Sequence, residues 1–252
     1  MLTHTNTSTN TTRSPSRYGF NLKASNEIPL ARDQADIRSP ECRAVTYPRP
    51  TEMPLSSVII IFYNEAMSTL LRNVIGVLNR TPPDMLGELL LVDDNSSLPQ
   101  LELLEEHLAR IEPKAARDKI RLVRRKIHNG IVGARNRGAE EARHEIIVFL
   151  DSHAEVTPGW LEPLVARIHE DRTRVVIPDL RPIDLNRLTI PGGSSWPPYK
   201  GSFNWRLSFI IIGADPEKDV IGTNKRVGPV RSPIMPGGLF AMDRAFFNEL
   251  GQ

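Results

Sequence analysis

Between Ser57 and Ile177 short apolar runs alternate with stretches of helical length, and this alternation constrains the fold more than any other feature of the chain. The runs Val58–Phe62, Leu89–Val92, Ile120–Val123, Ile146–Leu150 and Val175–Ile177 predict strands. Helices are expected over residues 67–79, near 101–111, over 132–143, and over 158–170 with a proline in the first turn. A strand that is apolar at every position must be covered on both faces. Strands of this kind separated by helices therefore predict an α/β fold, a mostly parallel sheet with helices on both faces. After Pro178 the alternation stops. Residues 181–200 and 213–236 are rich in Gly and Pro and read as long surface loops, with one further strand expected between them at Phe203–Ile212.

The amino-terminal part has a different character. Residues 1–17 are almost entirely Thr, Ser, Asn, Arg and Pro, with too little apolar surface to offset the entropy of ordering, which predicts a disordered tail. Asn6 and Asn10 head glycosylation sequons there. Residues 18–54 read as an extended segment wrapping a domain built from residues 55–252. The length of 252 residues suits one large domain or two small ones, needing no disulfide or structural metal to hold a core. Cys42 is the only cysteine, so no disulfide closes within this chain. A formal charge of +2 gives no electrostatic reason to expect a nucleic-acid or membrane-surface partner. No apolar run approaches bilayer length, and no basic-then-apolar stretch opens the chain, so neither an anchor nor a signal peptide is expected in it.

Open parallel sheets bind ligands beyond the carboxyl ends of their strands. The residues following each run are therefore the candidates. They are Tyr63-Asn64-Glu65, Asp93-Asp94-Asn95, Arg124 to Asn129, and Asp151-Ser152-His153. Side chains two apart at a strand end point the same way, so Asp151 and His153 can converge on one first-row divalent ion such as manganese. A surface Asp beside a hydrogen-bonded His is the structural alternative. Asp93-Asp94 suits a metal, a uracil or ribose contact, or a simple turn. Gly130 to Gly138, with Arg135 and Arg137 inside, either approaches phosphates or forms an ordinary amphipathic helix. Gly237-Gly238 permits close backbone approach to a ligand. The spaced glycine fingerprint of a dinucleotide enzyme is absent, and the acidic pair follows the second strand rather than the first, unlike a receiver domain.

Seven motifs occur in register: Gly19-Phe20-Asn21-Leu22, Phe62-Tyr63-Asn64-Glu65-Ala66, Leu91-Val92-Asp93-Asp94, Phe149-Leu150-Asp151-Ser152-His153, residues 159–164, Phe203-Asn204-Trp205 and Gly237-Gly238-Leu239-Phe240. Together they resemble the polypeptide N-acetylgalactosaminyltransferases, from about Tyr18 to Gln252. The resemblance implies a GT-A fold and a UDP-N-acetylgalactosamine donor. It further implies a Ser or Thr hydroxyl of a polypeptide as acceptor, retention of anomeric configuration, and a Golgi lumenal enzyme anchored by a segment outside this chain. By position it makes Asp151 and His153 manganese ligands. Ile61 (through its backbone), Asp94, His128, Ser152, Gly237 and Gly238 become donor contacts. It assigns no nucleophile or general base.

The chain also departs from the family. His128 and Gly133 stand where many members carry arginine, and Ala154-Glu155-Val156 replaces a frequent Cys-Glu-Cys. The resemblance implies that a Trp-Gly-Gly-Glu-Asn motif, a third histidine ligand and a disulfide partner for Cys42 lie beyond Gln252. The chain is thus expected to be a carboxyl-terminally truncated member with an incomplete GT-A domain. Two functions remain in view: the donor-binding part of an active transferase, or an inactive homologue that binds the donor or regulates.

Overall fold

A computed structural model describes residues 17–190 and 198–251. The Thr/Ser/Asn-rich tail, with its sequons at Asn6 and Asn10, lies outside the described residues apart from Arg17. Two short helices, α1 (Leu22–Glu27) and α2 (Pro40–Arg43), precede the sheet. The central elements are β1 (Ser56–Phe62), α3 (Met67–Arg80), β2 (Leu86–Asp93), α4 (Leu104–Ala109), α5 (Lys114–Arg117), β3 (Ile120–Arg124), α6 (Gly130–Glu141), β4 (Ile146–Asp151) and α7 (Glu162–Glu170). A hairpin of β5 (Tyr199–Phe203) and β6 (Phe209–Gly213) follows, then α8 (Pro216–Asp219), β7 (Phe240–Asp243) and α9 (Arg244–Glu249).

The main sheet has the order β3-β2-β1-β4-β7. Its first four strands are parallel, and β7 runs antiparallel to β4 along the edge. Alternate residues of β1 face two separate cores, which explains its unbroken apolar run. Val58, Ile60 and Phe62 pack with Leu70 and Val74 of α3 and Leu164 and Ile168 of α7. Ile59 and Ile61 face Ala134 and Ala139 of α6 together with Phe149 and Phe240. The small residues of α6 let it lie close to the sheet: a Cβ added to Gly138 would stand 2.6 Å from Ile59 Cγ2.

Residues 17–54 run over this core, with Tyr18, Leu30 and Tyr47 partly buried against it. Arg32 donates two hydrogen bonds to Glu155, of 2.8 and 2.6 Å, fastening the segment to the loop after β4. Among the described residues no helix is long and apolar enough to cross a membrane.

Four expected elements differ from the structure. Val175–Ile177 is no strand: Val176 makes a single bridge to Ala241, because β7 occupies that edge of the sheet. Phe203–Ile212 is not one strand but the end of β5, a turn, and most of β6. Asn204 makes the reversal, its side-chain oxygen accepting from the N–H groups of Arg206 and Ser208. The helix expected near 101–111 is a 3-10 turn, Pro99–Leu103, leading into α4. The helix expected from residue 158 begins at Glu162, with Pro163 in its first turn.

Candidate functional site

The strand order reverses at β1, whose two parallel neighbours are β2 and β4. Ligands of open α/β sheets enter the crevice at such a switch point. Register sets Ile61 beside Val92 on one side and Asp151 on the other, so Asp151 stands at the crevice mouth. Asn73 of α3, fully buried, fixes this strand end by donating to the Asp151 carbonyl at 2.8 Å. Because β7 is antiparallel to β4, the residues that lead into it arrive at the same edge. Gly237 and Gly238 are therefore brought to Asp151. A Cβ on Gly238 would meet Asp151 Oδ2 at 2.5 Å, so only a glycine lets the backbone approach this carboxylate. The Asp151 carboxylate accepts no hydrogen bond among the described residues.

Arg135 of α6 reaches the same place. Its Nη1 is the nearest atom to a Cβ built on Gly237, at 3.6 Å. Nε and Nη2 are buried with no hydrogen-bond partner among the described residues. Burial pulls this guanidinium below its ordinary pKa, and the charge of Asp151 opposes the shift. Arg137, the other arginine of the helix, instead pairs with Glu140 and Glu141 on the exposed side.

His153 and Ser152 turn toward Glu65 on the β1–α3 loop. Glu65 Oε2 accepts from Ser152 Oγ at 2.7 Å and lies 3.0 Å from His153 Nδ1. Oε1 accepts from the Ala66 N–H at 2.8 Å and from Thr69 Oγ1 at 3.3 Å. The Glu65 side chain is only 10% exposed, while that of His153 is 62% exposed, so the outer face of the ring is open. The Glu65 hydrogen bond pushes His153 above its ordinary pKa of 6.5, against burial. Burial alone would raise Glu65; the bonds from His153, Ser152 and Ala66 outweigh it and hold the carboxyl low.

The acidic pair after β2 is internally engaged. Asp93 pairs with Arg124 at 2.6 Å. Asp94 pairs with Arg125 at 2.6 Å and His128 Nδ1 at 2.7 Å, and accepts from the Gly130 N–H at 2.8 Å. Its carboxylate thus orders the loop from Arg125 into α6. His128, so held, stacks on Tyr63 with ring centroids 4.0 Å apart. Both rings are about half exposed at the β1 end of the crevice.

The structure therefore brings Asp151, His153, Ser152, Gly237 and Gly238 to one edge, with Ile61 beneath them. Asp94 and His128 lie along the same edge, on the β2 side. Sequence reasoning had Tyr63 and Glu65 among the residues after the first apolar run but gave neither an individual role. Among the described residues no three His, Cys, Asp or Glu side chains gather as a metal centre. Asp151 with its unengaged carboxylate, and His153 with an outer ring nitrogen free, nevertheless fit a first-row divalent cation as two of its ligands.

The sequence profile described as glycosyl transferase family 2 matches residues 57–251, the whole sheet and the residues at its edge. The chain belongs to glycosyl transferase family 2. Within it, the chain is 42% identical to polypeptide N-acetylgalactosaminyltransferase 11 of Xenopus tropicalis, over 94% of this chain and 38% of the relative. It is also 42% identical to human polypeptide N-acetylgalactosaminyltransferase 13, over 92% of this chain and 40% of the relative. The crystal structure of GalNAc-T7 with UDP, GalNAc and Mn2+ superposes with a TM-score of 0.83 at 35% identity. That match covers 93% of this chain and 42% of GalNAc-T7. The fold is the GT-A fold that the motifs implied, and this family 2 chain spans about two fifths of the length of these relatives.

Proposed function

We propose that the β1–β4 crevice binds UDP-N-acetylgalactosamine through a manganese ion held by Asp151 and His153. The chain is then the donor-binding part of a transferase that moves the sugar, with retention, to Ser or Thr hydroxyls of polypeptides. The observation that carries this reading is the free Asp151 carboxylate packed on the Gly238 backbone at the switch point. The names of the relatives at 42% identity support the sugar and the polypeptide acceptor. A Golgi lumenal location goes with the same reading.

The bound ion would neutralise charge growing on the departing diphosphate. Arg135, whose Nη1 lies nearest Gly237 and whose Nε and Nη2 have no partner among the described residues, is placed to donate to phosphate oxygens. Gly237 and Gly238 leave room for the sugar against the backbone. The Tyr63–His128 pair offers an aromatic face to the uracil, with Ile61 alongside. Asp94 serves that end by fixing His128 and Arg125, and Ser152 by holding the turn that carries His153.

Thermal unfolding tests the nucleotide assignment. UDP-N-acetylgalactosamine with Mn2+ at about 100 times Kd adds about 2.7 kcal/mol, a rise in Tm on the order of 5–10 °C. No rise is expected with Mn2+ plus GDP, or with the UDP-sugar plus a chelator. An equal rise in either control contradicts the assignment.

Two further outcomes follow from the geometry. Gly238→Ala drives a methyl into Asp151 Oδ2, so UDP binding in Mn2+ should weaken at least about tenfold while the urea midpoint moves little. Unchanged affinity by calorimetry would remove Gly238 from the site. Metal binding must also displace the proton that Glu65 helps His153 retain. Since the His153 pKa is raised above 6.5, Mn2+ affinity should climb through that raised value, by up to about tenfold per pH unit below it, then level off. The metal-free protein loses the stabilisation from His153 over the same rise in pH. A flat Mn2+ affinity from pH 6 to 8 would exclude His153 as ligand.

A further inference from the structure

Glu65 is buried beneath both residues that follow Asp151 and is bonded to each of them through one oxygen. Resting on the metal reading above, we infer that Glu65 is a positioning residue that fixes His153 in its Nδ1–H tautomer, so that the Nε2 lone pair is presented to the cation.

The two oxygens of Glu65 have different duties. Oε1 faces the backbone N–H of Ala66 at 2.8 Å, a group that can only donate. Oε2 faces Ser152 Oγ at 2.7 Å and His153 Nδ1 at 3.0 Å. A carboxylate only accepts, so a neutral His153 ring must carry its proton on Nδ1. The remaining nitrogen, Nε2, is then unprotonated and lies on the exposed side of a ring that is 62% accessible. Only an unprotonated nitrogen binds a metal, and a carboxylate behind a ligating imidazole fixes both its tautomer and its orientation. The hydroxyl bond from Ser152 to the same oxygen ties the turn, so one buried carboxylate sets both the aim and the protonation of the imidazole.

Glu65→Gln separates this role from simple filling of space. The Ala66 N–H claims the amide oxygen at the Oε1 position, which turns the NH2 group toward Ser152 and His153. Ser152 can rotate its hydroxyl and accept. His153 can accept only at Nδ1, so its proton moves to Nε2 and the metal position is blocked. NMR of the imidazole nitrogens, at a pH where the ring is neutral and assigned with a His153→Gln sample, should show the Nδ1–H form in metal-free wild type and the Nε2–H form in Glu65→Gln. Mn2+ affinity measured by electron paramagnetic resonance should fall by about 10–100-fold. Circular dichroism should not change.

Wild-type protein in the Nε2–H form overturns the inference without any variant, which covers a Glu65→Gln protein that does not fold. Glu65→Gln that keeps the Nδ1–H form and full Mn2+ affinity overturns it as well. Wild-type protein that takes up no Mn2+ overturns the metal reading itself, and with it the cation-setting half of the role.

Discussion

Asp151→Ala should lower Mn2+-dependent UDP affinity by at least about 100-fold, a loss of about 2.7 kcal/mol. Asp151 is the one carboxylate at the switch point that accepts no hydrogen bond among the described residues. Asp93, Asp94 and Glu65 are all engaged by arginine, histidine or backbone donors. No neighbour can substitute for it, because the nearest acids cannot reach the crevice without breaking those bonds. Asp151→Asn should lose nearly as much, since it keeps the shape and removes only the charge. Calorimetric titration of UDP into each variant in Mn2+ checks both, and tight binding to Asp151→Ala that persists in chelator would sink the assignment. Removing the charge also takes away the Asp151 field that opposes the burial of Arg135, so the variant should keep its fold but with a less settled guanidinium.

The second large effect lies at the opposite end of the sheet and concerns stability. Glu88→Ala should cost about 3 kcal/mol, read as a fall in the urea midpoint at unchanged m. Glu88 sits in β2 at 3% exposure. It accepts from Ser57 Oγ at 2.7 Å, from the Arg143 N–H at 2.8 Å and from Arg121 Nη1 at 2.6 Å. Truncation leaves these donors without their acceptor inside the sheet. Arg121 keeps Glu141 and some water, which holds the loss near the lower end for a broken buried pair. Burial alone would raise the Glu88 carboxyl, but Arg121, Ser57 and Arg143 outweigh it and hold it below 4.5. Its contribution is therefore present above that pH and disappears as pH falls through the lowered value. The folded variant should still bind UDP, and a loss under about 1 kcal/mol would show that the network contributes little.

Glu88 also marks what the sequence hides. The run Leu89–Val92 was legible as a strand, but a glutamate before it reads as the strand's end. Only the partners from β1, β3 and the turn before β4 permit a buried charge there, and sequence periodicity carries no record of them. Of the four parallel strands, β1, β2 and β4 were legible because their apolar runs are buried on both faces, and β3 by its Ile120, Leu122 and Val123 despite Arg121. By contrast, β7 was not: four residues, Phe240–Asp243, are too few to show a period, and its place is set by pairing with β4 on one side and the bridge to Val176 on the other. The turn within 203–212 carried one faint signal, Asn204, with no Gly or Pro to reinforce it.

At the site, the position of Asp151 and His153 at a strand end was legible, while the glycine pair stood out little from an ordinary turn. Their convergence was not legible, since it depends on β7 being antiparallel. Asp94 was open in the sequence between a ligand contact and a turn, and its bonds to Arg125, His128 and the start of α6 could not be read there. Glu65 was legible only as one member of the stretch after the first apolar run, with nothing to mark its role. Its role arises from contacts 87 and 88 residues away in sequence.

The most direct test is anomalous diffraction from crystals of this chain grown with Mn2+ and UDP. A manganese peak bonded to an Asp151 carboxylate oxygen and to His153 Nε2, and in contact with the diphosphate, is expected. A fully bound UDP whose manganese contacts neither residue, or one bonded through His153 Nδ1, would contradict it.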